Sequence, residues 1–161
     1  MIIRKGTPQD MNAVLELIQE LAHFEKEPEA VEITAEDLIQ DGFGEHPLFG
    51  VFVAENNNTI VGMALYYFKY STWKGKSIHL EDLIVTASER GNGIGQKLLE
   101  QMVLLAQQEQ VKRLEWNVLD WNTAAIDFYV QSGAEILKEW QLVRLDESRI
   151  INFAKKKIKL K

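Results

Sequence analysis

The sequence predicts an α/β fold, a mixed and twisted β-sheet flanked by helices, and three observations lead to it. Stretches rich in β-branched and aromatic residues alternate with stretches whose apolar residues recur every three or four positions. Turn sequences join the strands of the first half, which favours antiparallel pairing there. A strand–helix–strand unit over residues 77–119 predicts a parallel pair with a right-handed crossover. Residues 1–161 contain no repeat or linker and are expected to form a single domain.

The elements are predicted in the order strand, two helices, three strands, helix, strand, helix, strand and a last short helix. Thr7 and Thr34 have the residue type of helix caps, and Pro8 suits a first helical position. The glycine-containing stretch 41–44 is expected to break the second helix, and Asn56–Asn58 to form a hairpin turn. The expected strands are Met1–Lys5, Leu48–Glu55, Thr59–Tyr70, Ser77–Val85, Val111–Leu119 and Trp140–Leu145, and the later helices are expected at Ile94–Gln108, at Thr123–Gln131 and after Asp146.

Composition excludes several classes of function. A net charge of −6 argues against nucleic-acid binding and suits a small cationic partner. No apolar run has the length of a membrane span, and the absence of cysteine fits a cytoplasmic protein without disulfides or cysteine–zinc sites. The three histidines, expected at surfaces or turns, lack metal-ligand spacing, so no metal is predicted. The basic tail over residues 155–161 is typical of a solvated terminus.

The most informative stretch is the sequence ERGNGIGQKLLE at residues 89–100. It is not a Walker loop, because Gly95 is followed by Gln96 and Lys97, and the dinucleotide-binding fingerprint needs its third glycine one residue later. The loop joins the end of a strand to the start of a helix, where exposed N–H groups and the helix dipole favour an anion such as a diphosphate. The alternative is a tight turn whose glycines serve only backbone geometry.

The RGNGIG part of this loop resembles the Arg/Gln-x-x-Gly-x-Gly/Ala signature of the GNAT superfamily of N-acetyltransferases, which bind acetyl-coenzyme A. Three further stretches resemble the diamine acetyltransferases, and among them the thialysine acetyltransferases: DGFGEHP at 41–47, YSTWKGKSIHLEDLIV at 70–85 and LDWNTAAIDFY at 119–129. The resemblance implies a GNAT-like sheet, acetyl-coenzyme A as co-substrate, and a homodimer in which both subunits frame the amine site.

The resemblance also implies where the coenzyme lies. Its diphosphate would bind the N–H groups from Gly91 to Gln96, and its pantetheine arm would run along Leu83–Val85. Asn122 would approach the coenzyme as well, although its position equally suits a helix cap. The implied coenzyme-binding residues are Leu83, Ile84, Val85, Arg90, Gly91, Asn92, Gly93, Ile94, Gly95, Gln96, Asn122, Ala125 and Tyr129.

Acetyl transfer from a thioester needs a neutral amine, although an alkylammonium has a pKa of about 10, and it needs donors for the oxyanion and a proton for the leaving thiolate. The resemblance implies Glu81 as the base, directly or through water, the N–H of Ile84 as oxyanion donor and Tyr129 as general acid. Strand alternation predicts that Glu81 and Asp82 point to opposite faces. By residue pattern alone, Tyr129 suits a packed core and the two acids suit a strand edge.

For the site that binds the amine substrate, the resemblance points to Phe24 and Glu25 at the end of the first long helix. It also points to acidic and aromatic residues elsewhere in the chain. Trp73 fits core packing equally well. The implied amine-binding residues are Phe24, Glu25, Trp73, Glu81, Asp82, Trp116 and Glu139. The function expected is acetyl transfer to the primary amine of a diamine, polyamine or thialysine-like substrate by direct attack in a ternary complex. A protein or peptide amine, or a non-catalytic acetyl-coenzyme A sensor, are the alternatives.

Overall fold

The computed structural model describes residues 1–157. Two compact units divide the chain, one over Met1–Asn117 and a second that begins at Val118. The single-domain expectation stays a prediction. The basic tail lies partly outside the described residues. None of the helices in the described part is long and apolar enough to cross a membrane.

The first unit contains a five-stranded sheet in the order β1-β2-β3-β4-β5. The pairs β1–β2, β2–β3 and β3–β4 are antiparallel, and the β4–β5 pair is parallel. This confirms the predicted mixed sheet. The strands are β1 (Ile2–Lys5), β2 (Gly50–Asn56), β3 (Thr59–Ser71), β4 (Gly75–Val85) and β5 (Leu114–Glu115).

Helices pack on the two faces of this sheet. Helices α1 (Met11–Phe24) and α2 (Ala35–Phe43) bury Met11, Val14 and Leu38 in one core with residues of β2, β3 and β4. Helix α3 (Ile94–Gln108) contacts the same three strands and buries its own apolar residues. Because strand side chains alternate, each central strand supplies both layers.

Polar side chains fix where the first helices begin. A 3₁₀ turn, Pro8–Asp10, follows Thr7, and Asp10 accepts a hydrogen bond of 2.8 Å from the Thr7 N–H. Arg4 contacts Asp10 through two bonds of 2.7 and 2.8 Å and holds the pKa of that carboxyl well below its usual range, at about 2. Thr34 caps α2, accepting from the Asp37 N–H at 3.2 Å. Both predicted caps are confirmed.

The second unit contains α4 (Thr123–Gln131) and α5 (Glu147–Lys157). The boundaries of α4 match the prediction. Asp146 precedes α5 as expected, and its Oδ1 accepts from the Arg149 N–H at 2.9 Å. These two helices therefore begin where the sequence places their caps.

Three predicted boundaries were wrong. Helix α2 continues through 41–43, and of the predicted breaking stretch only Gly44, its C-cap, lies beyond the helix. The strand expected over Val111–Leu119 is reduced to the two residues of β5, whose ladder ends at His79 of β4. Within the described chain, Trp140–Leu145 forms no strand, and most of its apolar side chains are exposed. Strand propensity alone does not make a strand, because a ladder also needs a neighbour with free N–H and C=O groups.

Candidate active site

Strand β4 contains an irregularity at the residue predicted to be the base. Leu65 of β3 pairs with Asp82, but the next residue of β3, Tyr66, pairs with Leu80. Glu81 is therefore an extra residue without a cross-strand partner, which is a β-bulge. The bulge interrupts the alternation that predicted opposite faces for Glu81 and Asp82. The Glu81 side chain is 52% exposed, so it is accessible from solvent.

Asp82 is the centre of an acidic cluster that we define as Glu25, Glu81 and Asp82. Burial first, and then the negative charges of Glu81 and Glu25, raise the pKa of Asp82 to about 6. Glu25 caps the C-terminal end of α1, and its N–H donates to the Leu21 carbonyl at 2.9 Å. Loss of water around the Glu25 carboxyl raises its pKa, although the residue as a whole is exposed. The predicted acids of α1 and β4 thus act on one another electrostatically.

His79 was expected at a surface or turn, and this expectation was wrong. It lies within β4, its side chain is 12% exposed, and its ring lies 5.1 Å from the Tyr67 ring, centroid to centroid. Its Nε2 is 3.6 Å from Glu81 Oε2. Burial lowers the pKa of His79, against the opposing effect of Glu81. The sequence held a signal for this position, because His79 stands two residues before Glu81 in an apolar strand.

The β4–α3 connection has the backbone geometry that its glycines predict. Gly91 and Gly93 have φ of +80° and +74°, a region that residues with a Cβ rarely adopt. A Cβ built on either one would meet no other atom within 4 Å, so the space beside this backbone is open. Gly93 caps α3 in a left-handed conformation without a side-chain hydrogen bond. The first N–H groups of a helix lack intrahelical partners, and α3 therefore presents donors at this end.

Arg90 is held by the protein itself. Its Nε donates to the Val85 carbonyl at 2.8 Å, and its guanidinium carbon lies 5.5 Å from the centroid of the Phe24 ring. Phe24, predicted at the amine site, thus packs against the first residue of the glycine loop. Glu20 of α1 also contacts this segment, a role that the sequence reasoning missed.

In the second unit, Asn122 and Tyr129 occupy defined positions on α4. Asn122 Oδ1 accepts from the Ala125 N–H at 3.2 Å, so the helix-cap alternative for Asn122 is confirmed. Tyr129 is buried, and its ring lies 5.1 Å from the Phe128 ring, centroid to centroid. Their predicted contacts with coenzyme stay predictions.

Of the other predicted amine-site residues, Trp73 lies away from the acidic cluster and Glu139 lies in the second unit. Trp73 is 77% exposed in the turn between β3 and β4, at the opposite end of β4 from Asp82. Trp116 directly follows β5 and is half-buried, whereas Glu139 is exposed in the second unit. Core packing of Trp73, the alternative weighed for it, is wrong. Within the described residues, no three His, Asp or Glu side chains form a group able to hold a metal.

Comparison with known proteins identifies the family. Residues 11–134 match the profile described as the Acetyltransferase (GNAT) family. The chain is 40% identical over 157 residues to the thialysine N-epsilon-acetyltransferase of Bos taurus, covering 91% of this chain and 92% of that protein. It is 38% identical over 162 residues to the human spermidine/spermine N(1)-acetyltransferase-like protein 1, covering 94% of this chain and 23% of that protein.

The fold also matches solved structures. An integron cassette protein from the mobile metagenome of V. cholerae superposes with a TM-score of 0.80 at 24% identity, covering 96% of this chain and 97% of the other. An aminoglycoside acetyltransferase from an uncultured soil metagenomic sample superposes with a TM-score of 0.75 at 21% identity, covering 90% and 96%. Both likenesses concern the fold alone. The family profile and the relatives at about 40% identity carry the conclusion that this chain belongs to the GNAT family and is an N-acetyltransferase.

Proposed function

We propose that this N-acetyltransferase uses acetyl-coenzyme A to acetylate a primary amine of a small cationic substrate, by direct attack in a ternary complex. The observation that carries the substrate class is the acidic cluster. Asp82 is partly buried and lies within the field of Glu81 and Glu25, which raise its pKa in addition to burial. Carboxylates held together at such a cost in electrostatic energy are typical of a functional site, and a bound cation relieves their repulsion.

The glycine loop supports the coenzyme part of the proposal. The positive φ angles of Gly91 and Gly93, with open space where each Cβ would project, let a ligand approach the backbone closely. The start of α3, which has no side-chain cap, adds N–H donors and the positive end of a 15-residue helix dipole. A diphosphate suits these donors. Leu83–Val85, at the end of β4, would line the pantetheine arm, whose amides can bond to a strand edge.

Three groups would perform the chemistry. Glu81, exposed at the bulge, accepts a proton from the substrate ammonium directly or through water, which frees the nitrogen lone pair. The nitrogen then forms a bond to the acetyl carbon, and the backbone N–H of Ile84 donates to the oxygen that becomes negative. As the carbon–sulfur bond breaks, the Tyr129 hydroxyl gives its proton to the sulfur. The nitrogen loses its second proton to solvent, which returns a proton to Tyr129, and Glu81 releases the proton that it took first.

The choice among amines rests on charge. A diamine or polyamine carries a second ammonium, and thialysine carries an amino-acid end besides its reacting amine. The acidic cluster offers a partner for a second cation, which favours diamines and polyamines. Because one relative is named for thialysine and another for spermidine and spermine, the proposal includes thialysine-like amines as well as diamines and polyamines.

The proposal includes a homodimer. Trp73 is exposed at the β3–β4 turn, away from the acidic cluster of its own chain, so a role at an amine site requires another chain. Light scattering coupled to gel filtration measures the mass directly, and a particle of one 18.5 kDa chain would remove the dimer from the proposal.

An assay of acetyl-coenzyme A with a panel of amines tests the proposal as a whole. The panel contains diamines, spermidine, spermine, thialysine, lysine, monoamines and lysine-containing peptides. We expect the highest kcat/KM with dicationic amines and no stable acetyl-enzyme in the absence of amine. Preference for peptides would identify a protein acetyltransferase, and coenzyme binding without turnover on any amine would identify a sensor.

A further inference from the structure

Glu20 joins helix α1 to the segment that leads from β4 into the glycine loop. Its Oε2 accepts a hydrogen bond of 2.7 Å from the Thr86 hydroxyl, and its Oε1 accepts one of 2.8 Å from the Ala87 N–H. Oε1 also lies 3.6 Å from Nη2 of Arg90. Both carboxylate oxygens of Glu20 are therefore bonded to residues more than 60 positions away in the sequence.

The same segment is held from two other directions. Arg90 Nε bonds to the Val85 carbonyl at 2.8 Å, which folds the arginine back onto the end of β4. Its guanidinium also lies over Phe24, one helical turn beyond Glu20 on α1. The Thr86 N–H donates to the Val61 carbonyl of β3 at 2.9 Å. The position of residues 86–90 is thus determined by α1, β3 and β4 together.

We propose that Glu20 is a positioning residue for coenzyme binding, and this inference rests on the coenzyme loop of the proposed function. The glycines that follow Arg90 have conformational freedom, since Gly91 and Gly93 have positive φ and no neighbour where a Cβ would lie. A loop of this kind presents its N–H groups in one arrangement only if its ends are fixed. Glu20 fixes the end that comes from β4, which reduces the ordering cost when a diphosphate binds.

Glu20 also sets the charge of the loop. Its carboxylate lies next to Arg90, so part of the arginine charge is already balanced before an anion arrives. The carboxylate itself does not belong among phosphate ligands, because it would repel a diphosphate. Its effect must therefore pass through the Thr86, Ala87 and Arg90 groups that it holds.

Glu16 provides a matched control on the same helix. It lies one turn before Glu20, carries the same charge and is exposed, and its side chain makes no hydrogen bond or ion pair within residues 1–157. Glu16→Ala and Glu20→Ala change the net charge of the protein equally. Any difference between the two variants comes from the contacts of Glu20.

The test compares Glu20→Ala, Glu20→Gln and Glu16→Ala with the natural protein in three measurements. Hydrogen exchange in the free protein reports on the Ala87 N–H. Calorimetry gives the Kd of coenzyme A, and steady-state kinetics gives KM for acetyl-coenzyme A and for the amine. We expect Glu20→Ala to speed exchange at Ala87 and to raise the Kd and the KM of the coenzyme about tenfold, with the KM of the amine unchanged. Glu20→Gln keeps an oxygen acceptor, so its exchange rate, Kd and KM should lie between those of the natural protein and Glu20→Ala. Glu16→Ala should change none of these quantities.

An unchanged coenzyme Kd in folded Glu20→Ala overturns the inference, and so does an equal rise in the KM of both substrates, which a merely structural role would give. If Glu20→Ala does not fold, the coenzyme Kd and the two KM values of Glu20→Gln are judged by the same criteria. Failure of the natural protein to bind coenzyme A is a separate result that removes the proposed function together with this inference. Normal binding by the natural protein, with no loss in the variants, removes the inference alone.

Discussion

His79 Nε2 lies 3.6 Å from Glu81 Oε2, and the two residues stand on either side of Leu80 in β4. The other ring nitrogen, Nδ1, is buried and has no hydrogen-bond partner within the described residues. Protonation would place an unsatisfied N–H at that buried position, which costs free energy. His79 is therefore a neutral imidazole beside the proposed base at neutral pH.

Removing the Glu81 charge should lower the pKa of His79 further. Burial sets this pKa below its ordinary value of 6.5, and the nearby charges of Glu81 and Glu115 raise it whereas Lys69 lowers it. Glu81→Gln removes one raising effect, so the imidazole should titrate at lower pH, as followed by NMR with His79→Gln assigning the signal. Glu36→Gln, on α2, is the control. An unchanged or higher pKa in Glu81→Gln would show that the two groups do not interact.

Asp82→Asn should stabilise the protein at pH 7. The pKa of Asp82 is about 6 in the fold against 3.8 ordinarily, so the folded state binds more protons between these values and stability falls as pH rises through them. Asparagine does not ionise, and we expect a gain of about 3 kcal/mol in the free energy of unfolding above pH 6 and almost none below pH 4. Urea unfolding at several pH values measures this, with exposed Asp41→Asn as control. A pH-independent difference would refute the electrostatic explanation.

Gly93→Ala should weaken coenzyme binding more than Gly75→Ala. Both glycines have positive φ, +74° and +82°, and neither has an atom within 4 Å of a built Cβ. The backbone strain should therefore be similar, about 1 kcal/mol in each case. Only the Gly93 methyl would occupy the space proposed for the diphosphate, and we expect about a tenfold higher Kd for coenzyme A by calorimetry. If the two variants bound coenzyme A with equal affinity, Gly93 would serve only the geometry of the turn and would not contact the diphosphate.

Tyr129→Phe should lower kcat about a hundredfold, because it removes the proposed proton donor and keeps the buried ring. The Kd of coenzyme A should stay nearly unchanged. Tyr70→Phe, at a tyrosine that is 78% exposed, is the matched control. Single-turnover kinetics separates chemistry from product release. If Tyr129→Phe transferred the acetyl group at the same single-turnover rate as the natural protein, Tyr129 would have a packing role and no role as general acid.

Glu25→Gln should raise KM about fivefold for diamines and much less for monoamines of similar length, because only a diamine brings a second cation to the acidic cluster. Salt should reduce the difference, since Glu25 is exposed as a residue. Glu29→Gln, in the exposed stretch after α1, is the control. Equal changes for the two amines would remove Glu25 from the substrate site and leave Asp82 and Glu81 as its acids.

Local sequence predicted the elements whose boundaries depend on local bonds. Thr34, Asn122 and Asp146 each accept a hydrogen bond from a backbone N–H three residues later, so cap type and position are readable from the chain. The glycine loop is similar, because glycine permits the positive φ that Gly91 and Gly93 adopt. The family resemblance, carried by these same segments, was confirmed by the GNAT profile.

The structural features that could not be predicted are those that depend on contacts between residues far apart in the sequence. The bulge at Glu81 exists only in relation to β3, and the short β5 only in relation to β4. A bulge bends its strand and disrupts the ladder, and the β5 ladder stops two residues before Glu81. Glu20 looks like any polar residue on α1 until Thr86 and Ala87 are folded beside it. Strand alternation therefore failed at the residue where the chemistry is proposed.

The bulge frees residue 81 from a packing constraint that its neighbours in β4 carry. Every neighbour in β4 from Leu83 back to Ser77, apart from Glu81, faces a residue of β3, so a change of side chain there must suit that opposite residue as well. Residue 81 has no such residue opposite it, and half of its side chain is in water. An acid, a histidine or an inert residue could stand there with little effect on strand pairing. The side chain at residue 81 can therefore change while the pairing of β3 with β4 stays the same. A single substitution at residue 81 could then change the chemistry of the site.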